Sequence, residues 1–277
     1  VDRGWKKAGR LTEWAKELHL LKMLRSARYD LIVHLTEHPR GAWMARLLAP
    51  GHTVIGLSRR TNEALAKLAV ERGATLEQWP VDLADALPAA QRLRDTLAGF
   101  DAQQFARAVL INNAGAIDSP SALRDADLGG LAKTLRIDLE ATALLCAAFL
   151  DATRGWSGQR RVLNISSGLG RRAMASSAAY CAAKAGMDHL TRCLALEEAL
   201  VPNGARVLSL APGVIDTDMQ VQLRSADAQA FPDRERFVAL QRDGQLSSAD
   251  AAAARVLACL ERPDFGEPPI GDVRELA

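Results

Sequence analysis

Arg161-Val-Leu-Asn-Ile-Ser-Ser167 is an apolar run that ends in two serines, and Tyr180-Cys-Ala-Ala-Lys184 begins thirteen positions after Ser167. The run predicts a buried strand, and open α/β sheets bind their ligands at the carboxyl ends of their strands. Tyr180 and Lys184 are four residues apart, so on a helix their side chains share one side, one turn from each other. We therefore expect Ser167, Tyr180 and Lys184 to meet at one site.

These three residue types suit proton transfer. An ammonium group held near a phenol favours the phenolate and lowers a pKa that is about 10 in free Tyr. Tyr180 is therefore predicted to act as a general acid or base near neutral pH. Ser167 is predicted to orient a carbonyl by hydrogen bonding, because Asn-Ile-Ser-Ser-Gly lacks the Gly-x-Ser-x-Gly elbow of a serine hydrolase.

Strand-like apolar runs alternate with longer amphipathic stretches along the rest of the chain. The stretches that predict helices include 62–72, 131–154, 174–200 and 248–260. This alternation predicts an α/β protein with a doubly wound parallel sheet of Rossmann type and helices on both faces. We expect one domain over residues 31–277, preceded by an atypical extension over residues 1–30. The predicted strands are 31–33, 53–57, 75–81, 108–111, 161–165 and 205–210.

Composition agrees with a folded enzyme and disfavours other classes. The 277 residues are 48% hydrophobic, which is ample for a core. A formal net charge of +2 gives no electrostatic reason to expect nucleic acid or a membrane surface as a partner. No apolar run approaches the ~20 residues that a bilayer requires. Neither the five histidines nor the scattered cysteines show metal-ligand spacing, so we expect no metal and buried thiols in a reducing cytoplasm.

Five motifs, in order, make the chain resemble the short-chain dehydrogenase/reductase family. The last of them indicates its sepiapterin reductase-like branch, which includes bacterial diketone (benzil-type) reductases. The similarity covers roughly residues 50–265. The motifs are Leu110-Ile-Asn-Asn-Ala-Gly115, Asn164-Ile-Ser-Ser167, Tyr180-Cys-Ala-Ala-Lys184, Ala195-Leu-Glu-Glu198 and Ala211-Pro-Gly-Val-Ile-Asp-Thr-Asp-Met-Gln220.

The resemblance implies a carbonyl reductase that transfers hydride from a nicotinamide cofactor to a small-molecule ketone, vicinal diketone or pterin side-chain carbonyl. Tyr180 then donates the proton, Lys184 lowers its pKa and binds the nicotinamide ribose, and Ser167 holds the carbonyl oxygen. The competing hypothesis is a catalytically impaired pseudoenzyme that acts as a binding protein.

The cofactor is predicted to be NADP(H). Ser58, Arg59 and Arg60 follow the second strand, where an NAD enzyme usually presents a carboxylate to the adenosine ribose. Two guanidiniums instead suit a 2′-phosphate, although they could also begin a solvated helix and bind nothing. The resemblance assigns further cofactor contacts to Asp82, Leu83, Asn113, Ala114, Gly115, Pro212, Gly213, Ile215 and Thr217.

The expected pyrophosphate loop departs from the family pattern, Thr-Gly-x-x-x-Gly-x-Gly. Counting back without gaps from Gly51 places this loop over residues 33–40. Val33 then takes the Thr position, while His34, His38 and Arg40 take the glycine positions. Glycines there let backbone amides approach phosphate at a helix N-terminus. The loop could be rebuilt around His and Arg side chains, it could be non-functional, or the segment could reflect a shifted reading frame.

A second departure replaces a family Asn by Asp138. That Asn helps hold a water in the proton relay from the catalytic Lys, and Asp lacks its amide donor. The charge of Asp138 is expected to alter the titration of Lys184. Alternatively, the relay water turns and donates to the carboxylate.

Substrate and assembly are the least constrained predictions. An apolar pocket flanked by Leu169, Met219 and Leu223 would suit vicinal diketones, whereas Asp272 takes the position that anchors the pterin in sepiapterin reductases, or else has no role. The Ala- and Leu-rich helices predicted over 131–154 and 174–200 carry apolar residues on more than one face. The resemblance implies a homodimer through these two helices.

Overall fold

One parallel sheet of seven strands organises the described part of the chain. The computed structural model describes residues 31–35 and 46–275. Within them the strand order is β3-β2-β1-β4-β5-β6-β7, and every neighbouring pair is parallel. The strands are β1 (Leu31–Leu35), β2 (Thr53–Ser58), β3 (Thr75–Pro80), β4 (Arg107–Asn112), β5 (Gln159–Ile165), β6 (Arg206–Ala211) and β7 (Ile270–Asp272).

Helices cover both faces of this sheet, which confirms the predicted doubly wound α/β architecture. A π-helical turn, Arg136–Glu140, joins the third and fourth α-helices. The α-helices are α1 (Glu63–Arg72), α2 (Leu87–Ala98), α3 (Leu128–Leu135), α4 (Ala141–Ala152), α5 (Ala178–Glu198), α6 (Asp218–Ser225), α7 (Arg234–Arg242) and α8 (Ala249–Leu260).

Alternate residues of the central strands supply two separate cores. In β1, Leu31 and Val33 join the core that includes Leu93 of α2 and Phe149 of α4. Ile32 points the other way and joins the core that includes Leu257 of α8. Because both faces are covered, β1 can be a continuous apolar run instead of alternating apolar and polar residues.

The strand order reverses at β1, which pairs with β2 on one side and β4 on the other. Connections leave β2 and β4 in opposite directions from this point, so a crevice opens at the carboxyl ends of the strands. The Asn113–Gly115 turn follows β4 directly, and Ser58 ends β2. The topology therefore gathers the predicted cofactor segments along one edge of the sheet.

The structure corrects the predicted boundary of the phosphate loop. β1 extends through Leu35, so Val33 and His34 are strand residues and not loop residues. Val33 lies between Ile55 of β2 and Leu110 of β4, and His34 is fully buried in the next register position. A loop that follows β1 begins no earlier than residue 36. His38 and Arg40 lie outside the described residues, as do residues 1–30.

β7 is a strand that the sequence pattern did not predict. Pro268 and Pro269 made the tail look unsuitable for a strand, since Pro removes a backbone donor. They precede the three-residue strand and do not interrupt it. The Pro269 carbonyl even accepts a hydrogen bond from the Ser209 N–H, at 2.8 Å. β7 thereby sets Asp272 beside Ala211, at the carboxyl edge of the sheet.

Candidate active site

Tyr180 and Lys184 come from the first two turns of α5, and Ser167 follows the end of β5. Both α5 side chains are buried, with 8% of Tyr180 and 3% of Lys184 exposed. Ser167 lies at the N-cap of a short 3-10 turn, where its Oγ accepts a hydrogen bond from the Leu169 N–H at 3.2 Å. The predicted strand–turn–helix unit therefore forms, and it brings these side chains to the carboxyl edge of the sheet.

The ammonium group of Lys184 is held at a defined place in the site. Its Nζ donates a hydrogen bond to the Ile165 carbonyl oxygen at 3.1 Å. The same atom lies 3.5 Å from Asp138 Oδ2 and 5.6 Å from the centroid of the Tyr180 ring. Lys184 thus links the end of β5, α5 and the π-helical turn.

Asp138 is completely buried within that π-helical turn. Its Oδ1 accepts a hydrogen bond from the Ala116 N–H at 2.6 Å. Single π-turns inside α-helices often mark functional positions, because the extra residue redirects side chains. Here the turn directs a carboxylate between Lys184 and the loop that follows β4.

Burial dominates the pKa of Tyr180 and raises it above the ordinary value. The Lys184 charge and a hydrogen bond with Ser167 act against this rise, whereas the Asp138 charge adds to it. The net direction is opposite to the depressed phenol pKa that the Tyr-x-x-x-Lys spacing predicts. The spacing of Tyr180 and Lys184 predicts the effect of the Lys184 charge. The burial of Tyr180 and the nearness of Asp138 follow from the fold and cannot be predicted from that spacing.

The pKa values of Lys184 and Asp138 also depart from their ordinary values. Burial acts to lower the pKa of Lys184, but the charges of Asp138 and Tyr180 outweigh it and the pKa rises. Burial raises the pKa of Asp138, with Lys184 and the Ala116 N–H opposing the rise. Asp138 is expected to alter the titration of Lys184, and here its charge raises the Lys184 pKa, which keeps Lys184 protonated.

Gly115 permits the close approach of the β4 turn to these charges. A Cβ added at Gly115 would lie 3.4 Å from Lys184 Nζ and 3.7 Å from Asp138 Oδ1. A side chain there would fill space beside the ammonium group. Ala114 is buried and Asn113 is half-buried, so this turn offers backbone and a small polar surface to a flat ligand.

The adenosine-side candidates lie at the ends of β2 and β3. Arg59 and Arg60 are exposed after β2, and Ser58 Oγ donates a hydrogen bond to the Arg60 carbonyl oxygen at 2.6 Å. Asp82 caps a 3-10 turn through the Ala84 N–H, whereas the Leu83 side chain is buried in the core. The two guanidiniums are therefore accessible to a phosphate, while Leu83 could contact a ligand only through its backbone.

The nicotinamide-side candidates follow β6. Gly213 has a positive φ of 83°, a conformation that favours glycine, and Pro212 precedes it. Ile215 forms an isolated parallel bridge with Ser247, and Thr217 occupies the N-cap position of α6. Pro212 and Gly213 directly follow the carboxyl end of β6. These segments and the Gly115 turn all follow the carboxyl ends of strands of the one sheet.

Tyr180 is itself part of an apolar cluster. Leu169 and Leu223 belong to it together with two aromatic rings, and Met219 packs against it. Phe231 and Phe237 lie with ring centroids 5.5 Å apart within this cluster. The cluster is suited to an apolar or aromatic substrate group.

Asp272 is engaged inside the protein. Arg274 donates to Asp272 Oδ1 at 2.8 Å and to Oδ2 at 2.5 Å, and the Arg274 N–H adds a third hydrogen bond at 3.0 Å. These hydrogen bonds lower the pKa of Asp272. The carboxylate that was considered as a pterin anchor therefore already has a guanidinium partner.

Two buried polar groups behind the site were missed from the sequence. Asp188, one turn beyond Lys184, accepts a hydrogen bond from Ser209 Oγ at 2.6 Å and forms an ion pair with Arg171 at 3.2 Å. Arg171 also donates to the Gly271 carbonyl at 2.9 Å. This network ties the segment after Ser167 to α5, β6 and β7. A charged residue on the buried side of α5 was the only sequence signal for it.

The second set of buried polar side chains forms a chain of hydrogen bonds that runs from β4 through β5 to α5. Asn112 donates to Asn164 Oδ1 at 2.8 Å, and Asn164 donates to Thr191 Oγ1 at 2.9 Å. Cys146 contacts both amides, and burial raises the pKa of its thiol to about 12. The thiol therefore stays protonated. A polar residue in an otherwise apolar strand, Asn164, was the available signal.

Other site types receive no support from the described residues. No group of three or more His, Cys, Asp or Glu side chains there could hold a metal ion. No helix within 31–35 and 46–275 is long and apolar enough to cross a membrane. The expectation of buried thiols holds for Cys146 and Cys259, but Cys193 is exposed on α5.

Comparisons with known proteins agree with this geometry. The short chain dehydrogenase family model matches residues 41–228. Benzil reductase ((S)-benzoin forming) of Bacillus cereus is 32% identical over 246 residues, which are 89% of this chain and 98% of that protein. Sepiapterin reductase of Bos taurus is 33% identical, over 81% of this chain and 86% of that protein.

A solved structure carries the same fold. It is a putative 2-deoxy-d-gluconate 3-dehydrogenase from Agrobacterium tumefaciens with bound NADP, which is 25% identical with a TM-score of 0.65. The match covers 82% of this chain and 87% of that protein.

Proposed function

The chain belongs to the short-chain dehydrogenase family, in its sepiapterin and benzil reductase branch, and on that premise we propose that it is an NADPH-dependent carbonyl reductase. Its substrates are ketones, vicinal diketones or pterin side-chain carbonyls. The observation that carries the proposal is the buried grouping of Tyr180 and Lys184, with Lys184 Nζ 5.6 Å from the phenol ring and Ser167 at the adjoining strand end.

The protein's own groups supply position and a proton. When NADPH is bound, it provides the hydride that reduces the carbonyl carbon. Ser167 Oγ donates a hydrogen bond to the carbonyl oxygen and Tyr180 donates its phenolic proton as the alkoxide develops. Lys184 stabilises the phenolate that remains and binds the nicotinamide ribose.

The electrostatics favour reduction over alcohol oxidation. Reduction requires the protonated phenol, and both burial and the Asp138 charge raise the pKa of Tyr180. Oxidation requires the phenolate, which the same environment disfavours. The charge of Asp138 thus extends to higher pH the range in which Tyr180 holds the proton that reduction requires.

NADP(H) is preferred because Arg59 and Arg60 are exposed at the end of β2, where guanidiniums can hold a 2′-phosphate bidentately. Asp82, Asn113 and Gly115 then line the path from adenine to nicotinamide, and Pro212, Gly213, Ile215 and Thr217 close it.

Vicinal diketones are the better candidates among the three substrate classes. The cluster around Leu169, Met219 and Leu223 is apolar, and a diketone needs only Ser167 and Tyr180 as hydrogen-bond partners. A pterin would require Asp272 to exchange its Arg274 partner for the ligand. The Bacillus cereus relative, a benzil reductase, supports the diketone reading.

An impaired pseudoenzyme that acts as a binding protein is the second candidate. One observation favours it: the segment 36–41, Thr-Glu-His-Pro-Arg-Gly, offers Gly41 where the family pattern has three glycines to admit a pyrophosphate. Under this alternative the proton-transfer site is intact but cofactor affinity is lost.

The protein is further proposed to be a cytoplasmic homodimer. Leu196 on α5 is 73% exposed and Leu200, just beyond it, is 86% exposed. Large apolar side chains in this setting suit a subunit contact. No electrostatic feature of the chain, at a net charge of +2, favours nucleic acid or a membrane as a partner.

Two measurements on the purified protein test the proposal. NADPH oxidation is followed with benzil as substrate, and NADPH and NADH binding are measured by calorimetry. We expect benzil-dependent NADPH oxidation and tighter binding of NADPH. Absence of binding at millimolar NADPH would reject the reductase and leave the binding protein.

A further inference from the structure

A groove opens beside Tyr180, on the side formed by the loop after β4. We call it the side groove; its lining includes Ile117, Asp118, Ser119, Leu131, Ser177 and Tyr180. It reaches the phenol from the first turn of α3 and the start of α5. A substrate whose carbonyl meets Tyr180 can therefore extend a substituent into this groove.

Asp118 is the one charged side chain among the described residues that line the side groove. Its Oδ1 accepts a hydrogen bond from the Ser119 N–H at 2.8 Å. No ion pair to Asp118 within 4.0 Å exists in the described part of the chain. Asp118 thus brings an uncompensated negative charge to the groove.

Gly130 makes room for this carboxylate. A Cβ added at Gly130 would lie 2.3 Å from Asp118 Oδ2 and 2.6 Å from its Cγ. Any other residue at that position would push the Asp118 side chain aside. The carboxylate is therefore seated against the backbone of α3 and does not extend freely into solvent.

Ser177 adds a polar atom without a partner to the same lining. The residue is only 7% exposed, and its Oγ has no hydrogen-bond partner within residues 31–35 and 46–275. It occupies the N-cap position of α5, yet its side chain caps no N–H group. Buried hydroxyl groups are normally hydrogen-bonded, so this one is available to a ligand.

The other carboxylates near the site are already engaged. Asp138 binds the Ala116 N–H and lies against Lys184, and both oxygens of Asp272 accept from Arg274. Asp188 is paired with Arg171 and Ser209. Asp118 is the acidic group that remains for a substrate.

We propose that Asp118 is a specificity-determining residue, and that the side groove selects carbonyl compounds that carry an ammonium group or N–H donors on the substituent beside the carbonyl. Ser177 contributes a second hydrogen bond to that substituent. The inference rests on the proposed reductase function and names the substrate class within it. A substrate carboxylate in the groove would be repelled by Asp118.

The expected preference follows from ordinary magnitudes. A hydrogen bond to a charged group contributes enough to change affinity by about tenfold or more. Asp118 is half-buried, so solvent screens part of this attraction and the lower end applies. We expect the wild type to favour an ammonium-bearing diketone over its carboxylate counterpart by about tenfold in kcat/KM.

The test uses three para-substituted 1-phenyl-1,2-propanediones, with an aminomethyl group, no substituent or a carboxyl group. For each variant, kcat/KM of the charged compounds is divided by that of the unsubstituted one. Asp118→Asn should lower the aminomethyl ratio about tenfold, mainly through KM, and raise the carboxyl ratio. Asp95→Asn removes an equally negative, exposed side chain on α2 and should leave both ratios unchanged.

Gly130→Ala provides a second variant that keeps Asp118. Ala is the better helix former, so α3 is not weakened intrinsically, but the new Cβ displaces the carboxylate. The same selective loss of the aminomethyl ratio is expected. Ratios that stay unchanged in both variants would overturn the role of Asp118. If the unsubstituted diketone is not reduced at all, the reductase function fails instead.

Discussion

Asp138 places a buried negative charge 3.5 Å from the ammonium group of Lys184, where the family pattern has an uncharged Asn. Both side chains are nearly inaccessible, at 0% and 4% exposed. Solvent therefore screens this ion pair little. The pair makes the charge state of Lys184 and the pKa of Tyr180 depend on one residue of the π-helical turn.

Asp138→Asn should move the pH profile of reduction to lower pH. The Asp138 charge raises the pKa of Tyr180, so its removal lowers that pKa. Reduction needs the protonated phenol, and activity is lost as pH rises through the Tyr180 pKa. The alkaline limb of kcat/KM should therefore shift downward, which a pH series with benzil would measure.

Asn suits this test because its Oδ1 can still accept from the Ala116 N–H. Asp151→Asn, an exposed change on α4, is the matched control and should leave the profile in place. An alkaline limb that stays or moves upward in Asp138→Asn would contradict the assigned effect.

Tyr180→Phe should reduce turnover at least a hundredfold while leaving NADPH affinity nearly unchanged. The substitution removes the proton donor and keeps the ring, and a placed acid typically contributes ~10²–10⁴ in rate. Lys184→Ala should weaken both turnover and binding. Steady-state kinetics and calorimetry separate the two effects, and an active Tyr180→Phe enzyme would mean that another group donates the proton.

Replacing Arg59 and Arg60 together by Ala should weaken NADPH binding tenfold or more and leave NADH binding nearly unchanged. Only NADPH carries the 2′-phosphate that the guanidiniums are proposed to hold. Binding is measured for both cofactors by fluorescence titration. Equal losses for the two would show that these arginines do not read the phosphate.

His34 should make the protein less stable in mild acid. Burial lowers the pKa of His34 to about 3, below the value of about 6.5 expected in the unfolded chain. Its stabilising contribution is then complete above pH ~6.5 and is lost as pH falls from there toward 3. Through this group, the free energy of unfolding should drop by about 2 kcal/mol between pH 7 and 5.

His34→Leu removes the titrating group from β1 and keeps a buried side chain. Urea unfolding at pH 7 and pH 5 should show a smaller acid loss in this variant than in the wild type. Equal losses would mean that the pKa of His34 is the same in the folded and unfolded chain. Because His34 lies within β1, His34→Gly should destabilise the strand without strengthening NADPH binding.

Leu196→Glu should convert a dimer into a monomer. Leu196 is 73% exposed on α5, and a charge there would have to be buried in a subunit contact. Sedimentation at micromolar concentration should show a dimer for the wild type and a lighter species for the variant. Val70→Glu, at an 82% exposed position on α1, is the control expected to leave the mass unchanged. A wild-type monomer would reject the proposed assembly.

The amino-acid sequence alone predicted six of the seven strands, the alternation of strands with helices, and the Ser167, Tyr180 and Lys184 motif. Apolar runs such as Arg161–Ile165 report burial directly, because a strand covered on both faces tolerates few polar residues. The four-residue spacing of Tyr180 and Lys184 reports a shared helix side. The apolar run and the spacing are both local properties of the sequence, so they can be predicted without the tertiary structure.

Only the tertiary structure decided the direction of the Tyr180 pKa, the partner of Asp272, the strand position of His34 and the side groove. Most of these depend on residues from different elements: Asp138 lies forty-six positions before Lys184, and Gly130 of α3 makes room for Asp118. Arg274 is only two residues from Asp272, but their side chains meet only because of the local backbone path after β7. Burial and charge act through space, and their balance follows from the packing of whole elements. Spacing along the chain can therefore predict the members of this site, but its electrostatics and selectivity arise from the fold.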